Sequence, residues 1–290
     1  MLRTLALGIF IGVSNAADPG SGSGSGSGSG DAPVVPAGDN PCFAAETTMA
    51  CKLTGDVSAA EAHRQCYTIH NTKEKGAALA LMKTLTAGDV VLAADAAGTL
   101  SLERVIVNQH KANTVASALL EVHHSAGVLS LTPDHVLLVD GAFVPARNAK
   151  PGSALTLANG EAATVERVTT ARGDIINPLT TSGTIVAGGV VASSHPEWTF
   201  AWAGKAQFPL FYGLAAAFPA TTQAYYDAVL EPLFDSSGAH LRSTALGASA
   251  LVVPLGVADA AAALGLGLFA GATPVALLVL GAAALRSRKA

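Results

Sequence analysis

Gly127-Val128-Leu129-Ser130-Leu131-Thr132-Pro133-Asp134-His135-Val136-Leu137-Leu138-Val139-Asp140-Gly141 sets two short apolar runs on either side of a Thr-x-x-His turn. Each run is too short for a helix that could hold itself together, is rich in aliphatic residues, and is bounded by Gly or Asp-Gly, so both read as strands. The same pattern continues in both directions. Upstream lie Asp89-Val90-Val91-Leu92-Ala93, Val105-Ile106-Val107 and Ala118-Leu119-Leu120-Glu121-Val122. Downstream lie Ala163-Thr164-Val165-Glu166-Arg167-Val168, Thr184-Ile185-Val186 and Val190-Val191-Ala192. Breaks are expected at Gly88, Gly98, Pro151-Gly152, Asn159-Gly160 and Gly173. From Met82 onward the body is therefore predicted to be all-β, with no long amphipathic helix.

Charged residues make up 13% of the 290-residue chain and apolar residues 50%, which places part of it outside water. The net charge of -4 and the lack of a basic stripe exclude nucleic acid as a partner. Residues 1–17 pair a basic start, Met1-Leu2-Arg3, with the apolar core Thr4 to Val13 and the small residues Ser14-Asn15-Ala16, as a signal peptide does. A Gly/Ser- and Pro-rich linker, 18–41, follows and cannot bury apolar surface. Ala260 to Leu285 carries no charge and precedes Arg286-Ser287-Arg288-Lys289, so a transmembrane helix of about 260–285 is expected within an anchor spanning 243–290, its basic tail in the cytosol. A buried helical hairpin is the alternative there, and whether 243–258 is a second membrane segment stays open. The expected location is the secretory pathway, as a single-pass membrane protein with a lumenal body.

The chemistry centres on Cys42, in Pro41-Cys42-Phe43-Ala44-Ala45-Glu46-Thr47. A thiol directly after an expendable leader can attack the carbonyl of Pro41, and a histidine can protonate the departing nitrogen, leaving a thioester. Thr132 and His135 supply the matching pair. Of the three cysteines, Cys51 and Cys66 stand 15 positions apart and suit a disulfide of about 3 kcal/mol. That leaves Cys42 unpaired, as a nucleophile must be; a Cys42–Cys51 bridge is the inactivating alternative. His123-His124 and His135 with Cys42 could hold an inhibitory zinc, yet no Cys-x-x-Cys or His-x-x-x-His spacing supports a structural metal, and no cofactor is assigned. His63, His70, His195 and His240 read as ordinary polar positions. Phe200, Trp202, Phe208, Phe211, Tyr212, Phe218, Tyr225, Tyr226 and Phe234 crowd a helical, apolar segment over 199–242, which suits either a membrane interface or the core of a small helical cap.

Taken with Leu85-Thr86-Ala87-Gly88-Asp89-Val90-Val91-Leu92 and Pro178-Leu179-Thr180-Thr181-Ser182-Gly183-Thr184-Ile185-Val186, the Cys42 and Thr132–His135 blocks resemble the Hint domain of hedgehog-type C-terminal autoprocessing proteins, which are related to inteins. The resemblance covers about 42–198. It implies a pseudo-symmetric β fold in which Cys42 performs an N-to-S acyl shift and Thr132 with His135 polarises the scissile bond. It also implies that 199–242 corresponds to the adduct-recognition region. Three positions depart from the family. His110 stands where hedgehog proteins have an Asp that activates the sterol hydroxyl; it can serve as a base, or be a surface loop residue. Ser194 stands where a Cys is frequent, as an auxiliary. Pro41 replaces a Gly before the nucleophile, which slows attack.

The function expected from these residues is autocatalytic cleavage at Pro41–Cys42, an autoprocessing peptidase or acyl transferase acting in cis. Water, a thiol or a lipid hydroxyl resolves the thioester, a sterol being one candidate acceptor. Splicing is disfavoured, because His195-Pro196-Glu197-Trp198 offers no terminal Asn to cyclise. The rival reading is an inert, membrane-anchored β domain that displays a flexible peptide.

Overall fold

The long polar stretch Ala162–Thr180 alternates inward Ala163 and Val165 with outward polar neighbours and then turns into the buried run Ile175-Ile176, so it extends as one 19-residue strand, β11. Gly173, expected to be a break, is not one: it stands opposite Ser117 inside the ladder. A computed structural model of the chain describes residues 42–68, 76–112, 115–196, 208–232, 256–262 and 264–265. The predicted signal peptide and linker (1–41), with Pro41, lie outside these residues, as does nearly all of the expected span over 260–285.

Strands β1 (Phe43–Ala44), β2 (Met49–Leu53) and β3 (Ala77–Leu81) precede the strand pattern read from the sequence. They are followed by β4 (Val90–Ala94), β5 (Leu100–Gln109), β6 (Val115–His124), β7 (Gly127–Leu131), β8 (His135–Val139), β9 (Ala142–Pro145) and β10 (Ala154–Thr156). After β11 come β12 (Thr184–Ala187) and β13 (Val190–Pro196). Among the described residues these strands join in the order β1-β7-β6-β11-β10-β8-β13-β12-β2-β4-β5, with β3 on β2 and β9 on β8. β11 ties the two ends together. Its middle pairs with β6 from Val165 to Ile175, and its last residues, Asn177 to Thr180, pair with β5.

The core is filled from both faces by Phe43, Leu129, Leu131, Leu137, Leu155 and Ile185, each fully buried. Burying such a side chain stabilises the fold by about 1.5–3 kcal/mol. A second cluster forms around the Cys51–Cys66 disulfide, which links β2 to the turn after helix α1 (Ala59–His63). Ser58 caps α1, its side chain accepting from Glu61 N–H at 3.2 Å.

Beyond the strands, Pro209–Ala217 (α2) and Pro219–Tyr225 (α3) form a helical pair, and α3 continues as a π turn over Tyr226–Leu230. Tyr212, Ala215 and Tyr226 pack on Ile106 and Val107 of β5. Of the two readings open for the aromatics, the helical cap therefore accounts for Tyr212 and Tyr226, while Phe218 remains 60% exposed. The N-terminus of α2 is capped from a distance: the Asp259 carboxylate accepts from Leu210 N–H at 2.8 Å and Phe211 N–H at 3.0 Å. Among the described residues no helix is long and apolar enough to cross a membrane.

Candidate active site

β1 is only two residues long, yet Phe43 is wedged between two partners, pairing with Ile176 of β11 and Leu131 of β7. That wedge sets the preceding residue, Cys42, against the turn from β7 to β8. The Cys42 N–H donates to Thr132 Oγ1 at 2.9 Å, and the Thr132 N–H donates to Cys42 O at 2.8 Å. The nitrogen held by Thr132 is the nitrogen of the Pro41–Cys42 peptide bond. Cys42 is a free, buried thiol, because Cys51 and Cys66 are joined to each other.

His135 closes the same turn, its N–H donating to Thr132 O at 3.1 Å. Its ring lies 3.9 Å, centroid to centroid, from the Phe43 ring, and Nε2 is 2.7 Å from Ser193 O. A carbonyl oxygen only accepts, so Nε2 carries a proton and Nδ1 is the nitrogen through which the ring can act as acid or base.

His110 follows directly after β5. It is buried, which excludes the reading as a surface loop residue, and its backbone sits in the left-handed region at φ 62°. The imidazole forms an ion pair with Glu231, whose Oε1 is 2.9 Å from Nδ1, and Cys42 is the other ionisable group that acts on it. Burial pushes the imidazole down, but the contacts with Cys42 and Glu231 outweigh it and raise the pKa to about 10. At neutral pH this histidine is a cation. Glu231 was not foreseen from sequence. It is a single acid before Pro232 at the end of an apolar helical stretch, and no spacing links it to position 110.

The remaining positions are placed as follows. Ser194, on β13, is fully buried against β11, its hydroxyl accepting from Thr180 N–H at 3.2 Å and lying 3.1 Å from Thr180 Oγ1. His123 sits on β6 with Nε2 3.3 Å from Thr169 Oγ1 and 3.7 Å from Glu121 Oε2. His195, expected to be an ordinary polar position, is buried with Nε2 3.4 Å from Tyr212 Oη, and burial lowers its pKa to about 4.

Comparison with known proteins bears on this arrangement. No curated protein matches the chain. Two of the solved structures that it resembles are an intein-like domain from Clostridium thermocellum and a DnaB intein from Synechocystis. The first is 19% identical, with 53% of this chain and 97% of that one covered and a TM-score of 0.39. The second is 10% identical, with 54% and 99% covered and a TM-score of 0.39. Residues 54–219, more than half of the chain, match the sequence profile of the Hint module. The chain thus belongs to the Hint module family, the fold that inteins share.

Proposed function

We propose that the chain cleaves its own backbone at Pro41–Cys42 through a thioester. The Cys42 thiol gives up its proton, Sγ bonds to the carbonyl carbon of Pro41, and the bond from that carbon to the Cys42 nitrogen breaks as the nitrogen takes up a proton. Thr132 holds this nitrogen by its N–H, and His135, on the same turn, is the acid that protonates it. His110, held as a cation, stabilises the thiolate that attacks. An acceptor then attacks the thioester and releases the leader, freeing Cys42 as a new N-terminus.

One observation carries this reading: the 2.9 Å hydrogen bond from the scissile nitrogen of Cys42 to Thr132 Oγ1. A peptide N–H held this way keeps the amide in one orientation while the thiol of the same residue attacks. The test is expression of the full chain with and without Cys42→Ala, followed by intact-mass analysis. Self-cleavage predicts a product beginning at Cys42 in the parent, absent from the variant, with hydroxylamine accelerating its release. The same band pattern from both chains refutes it and favours the inert domain.

Cleavage rather than splicing is favoured because the residues after β13 supply no Asn to cyclise. Hedgehog-type processing, with a lipid hydroxyl such as a sterol as acceptor, is the finer form of the proposal. Its support is the resemblance at 42–198 and the exposed apolar side chains of the helical cap, Leu214, Phe218, Tyr225 and Val229. A lumenal body on a membrane anchor fits the apolar sequence at both ends, and the Cys51–Cys66 disulfide suits an oxidising compartment. Mass analysis of the released leader, with sterol and without, discriminates the acceptors.

A further inference from the structure

Three consecutive residues at the end of β5 are gripped by one stretch of the helical cap. Gln223 takes both backbone groups of Asn108: its Oε1 accepts from Asn108 N–H at 2.7 Å and its Nε2 donates to Asn108 O at 3.1 Å. Tyr226 Oη accepts from Gln109 Nε2 at 2.7 Å. Glu231 Oε1 accepts from His110 N–H at 2.6 Å while lying 2.9 Å from His110 Nδ1. The π turn at Tyr226–Leu230 sets the spacing between the second grip and the third. A cap that only presented an acceptor would have no use for a carboxylate on the imidazole beside the nucleophile.

The charges around this carboxylate point the same way. Glu231 is 1% exposed, and burying an unpaired carboxylate is costly. The neighbouring Lys111 donates its ammonium to Leu85 O, and Asp227, on the π turn, is engaged by Gln223 Nε2 at 2.7 Å. His110 is the cation that faces Glu231, and Cys42 is the other ionisable group acting on His110. The left-handed backbone of His110 is strained for a non-glycine residue and is held by its N–H bond to Glu231.

We propose that Glu231 positions His110 as the cationic partner of the Cys42 thiolate, so that Cys42, His110 and Glu231 act as a thiolate–imidazolium–carboxylate relay and the helical cap is part of the cleavage machinery. The inference rests on the self-cleavage reading above. In the step itself the Cys42 thiol releases its proton to solvent as it pairs with the imidazolium, Sγ bonds to the Pro41 carbonyl carbon, and the C–N bond breaks with a proton delivered to nitrogen by His135. His110 acts directly on the thiol. Glu231 acts through the imidazole, by fixing the ring and stabilising its cationic form.

The test uses the full chain and hydroxylamine, which leaves the Cys51–Cys66 bridge intact, with folding checked by circular dichroism. Glu231→Gln is expected to slow cleavage about 100-fold at neutral pH. Relative to the parent, its rate should recover as the pH approaches about 8.5, where thiols ionise without help. A rate within twofold of the parent at neutral pH overturns the proposal, and so does a slowing that is the same at every pH. Gln223→Ala, which loosens the cap without touching the relay, should also slow the first step, and an unchanged rate counts against the cap's role. Where Glu231→Gln does not fold, imidazole NMR of the Cys42→Ala chain decides the matter. His110 should remain protonated at about pH 8, and a neutral ring there overturns the relay. This last measurement needs no cleavage, so it separates failure of the relay from failure of the self-cleavage reading.

Discussion

Thr132 is the residue at which structure and chemistry are hardest to separate, because its hydroxyl satisfies a buried backbone N–H and the same N–H belongs to the bond proposed to break. Thr132→Val keeps the shape and removes the acceptor. The expected result is a folded chain destabilised by about 1–3 kcal/mol, since an unsatisfied buried donor remains. Cleavage should slow roughly 10- to 100-fold, the rate equivalent of a similar loss in the transition state; a cleavage time course with a thermal melt reads both. A variant as fast as the parent would separate Thr132 from the chemistry. The neighbouring His135 was legible because the Thr-x-x-His spacing is local. Glu231 was not, because its relation to His110 spans 121 positions and exists only once the helices pack.

At the scale of elements, turns decide more than strands do. Asp140-Gly141 was readable as a tight turn, and both residues sit at positive φ, 50° and 80°, where β8 turns back as β9. Gly98 and Gly160 are different, since they meet each other. A Cβ on Gly98 would lie 2.9 Å from Gly160 Cα, on a backbone at φ +78°. Gly98→Ala should therefore cost about 2–4 kcal/mol, strain and clash together, whereas Gly141→Ala, with open space around it, should cost only about 1–2 kcal/mol. Urea denaturation of the two variants tests the order; equal midpoints would mean that the loop contact contributes nothing. The disulfide belongs to this scale too. Replacing Cys51 and Cys66 together should lower stability by about 3 kcal/mol, because the bridge ties β2 to the turn after α1 and restricts the unfolded chain.

Across the whole molecule two buried histidines set opposite pH limits. His195, pushed down to about 4 from 6.5, is neutral when folded, so the unfolded chain binds the extra proton and stability falls as pH drops from about 6.5 toward 4. His110, raised from 6.5 to about 10, contributes fully below 6.5, and its contribution is lost as pH rises through 10. Melting temperature against pH should thus peak near 6.5 as far as these two groups govern it. His195→Gln should flatten the acid limb and Glu231→Gln the alkaline one; a limb unchanged by its variant removes that histidine from the account. Much of this fold was readable in advance, because strands such as Val90–Ala94 and His135–Val139 are apolar runs bounded by turn residues. The early strands β1 to β3 were not, since Phe43-Ala44 is too short to show a period and Ala77–Leu81 looks as much like helix as strand. Gly173 misled for a related reason: a glycine marks a turn only where the backbone needs positive φ, and here the ladder of β6 holds it extended. The sequence by itself determined the β class, Cys42 as the candidate nucleophile and the Thr132–His135 turn, since each depends on neighbours a few residues apart. Only tertiary packing decided that His110 meets the thiol and that Glu231 meets His110, because those contacts join distant segments whose burial, rather than their spacing, gives the charges their partners.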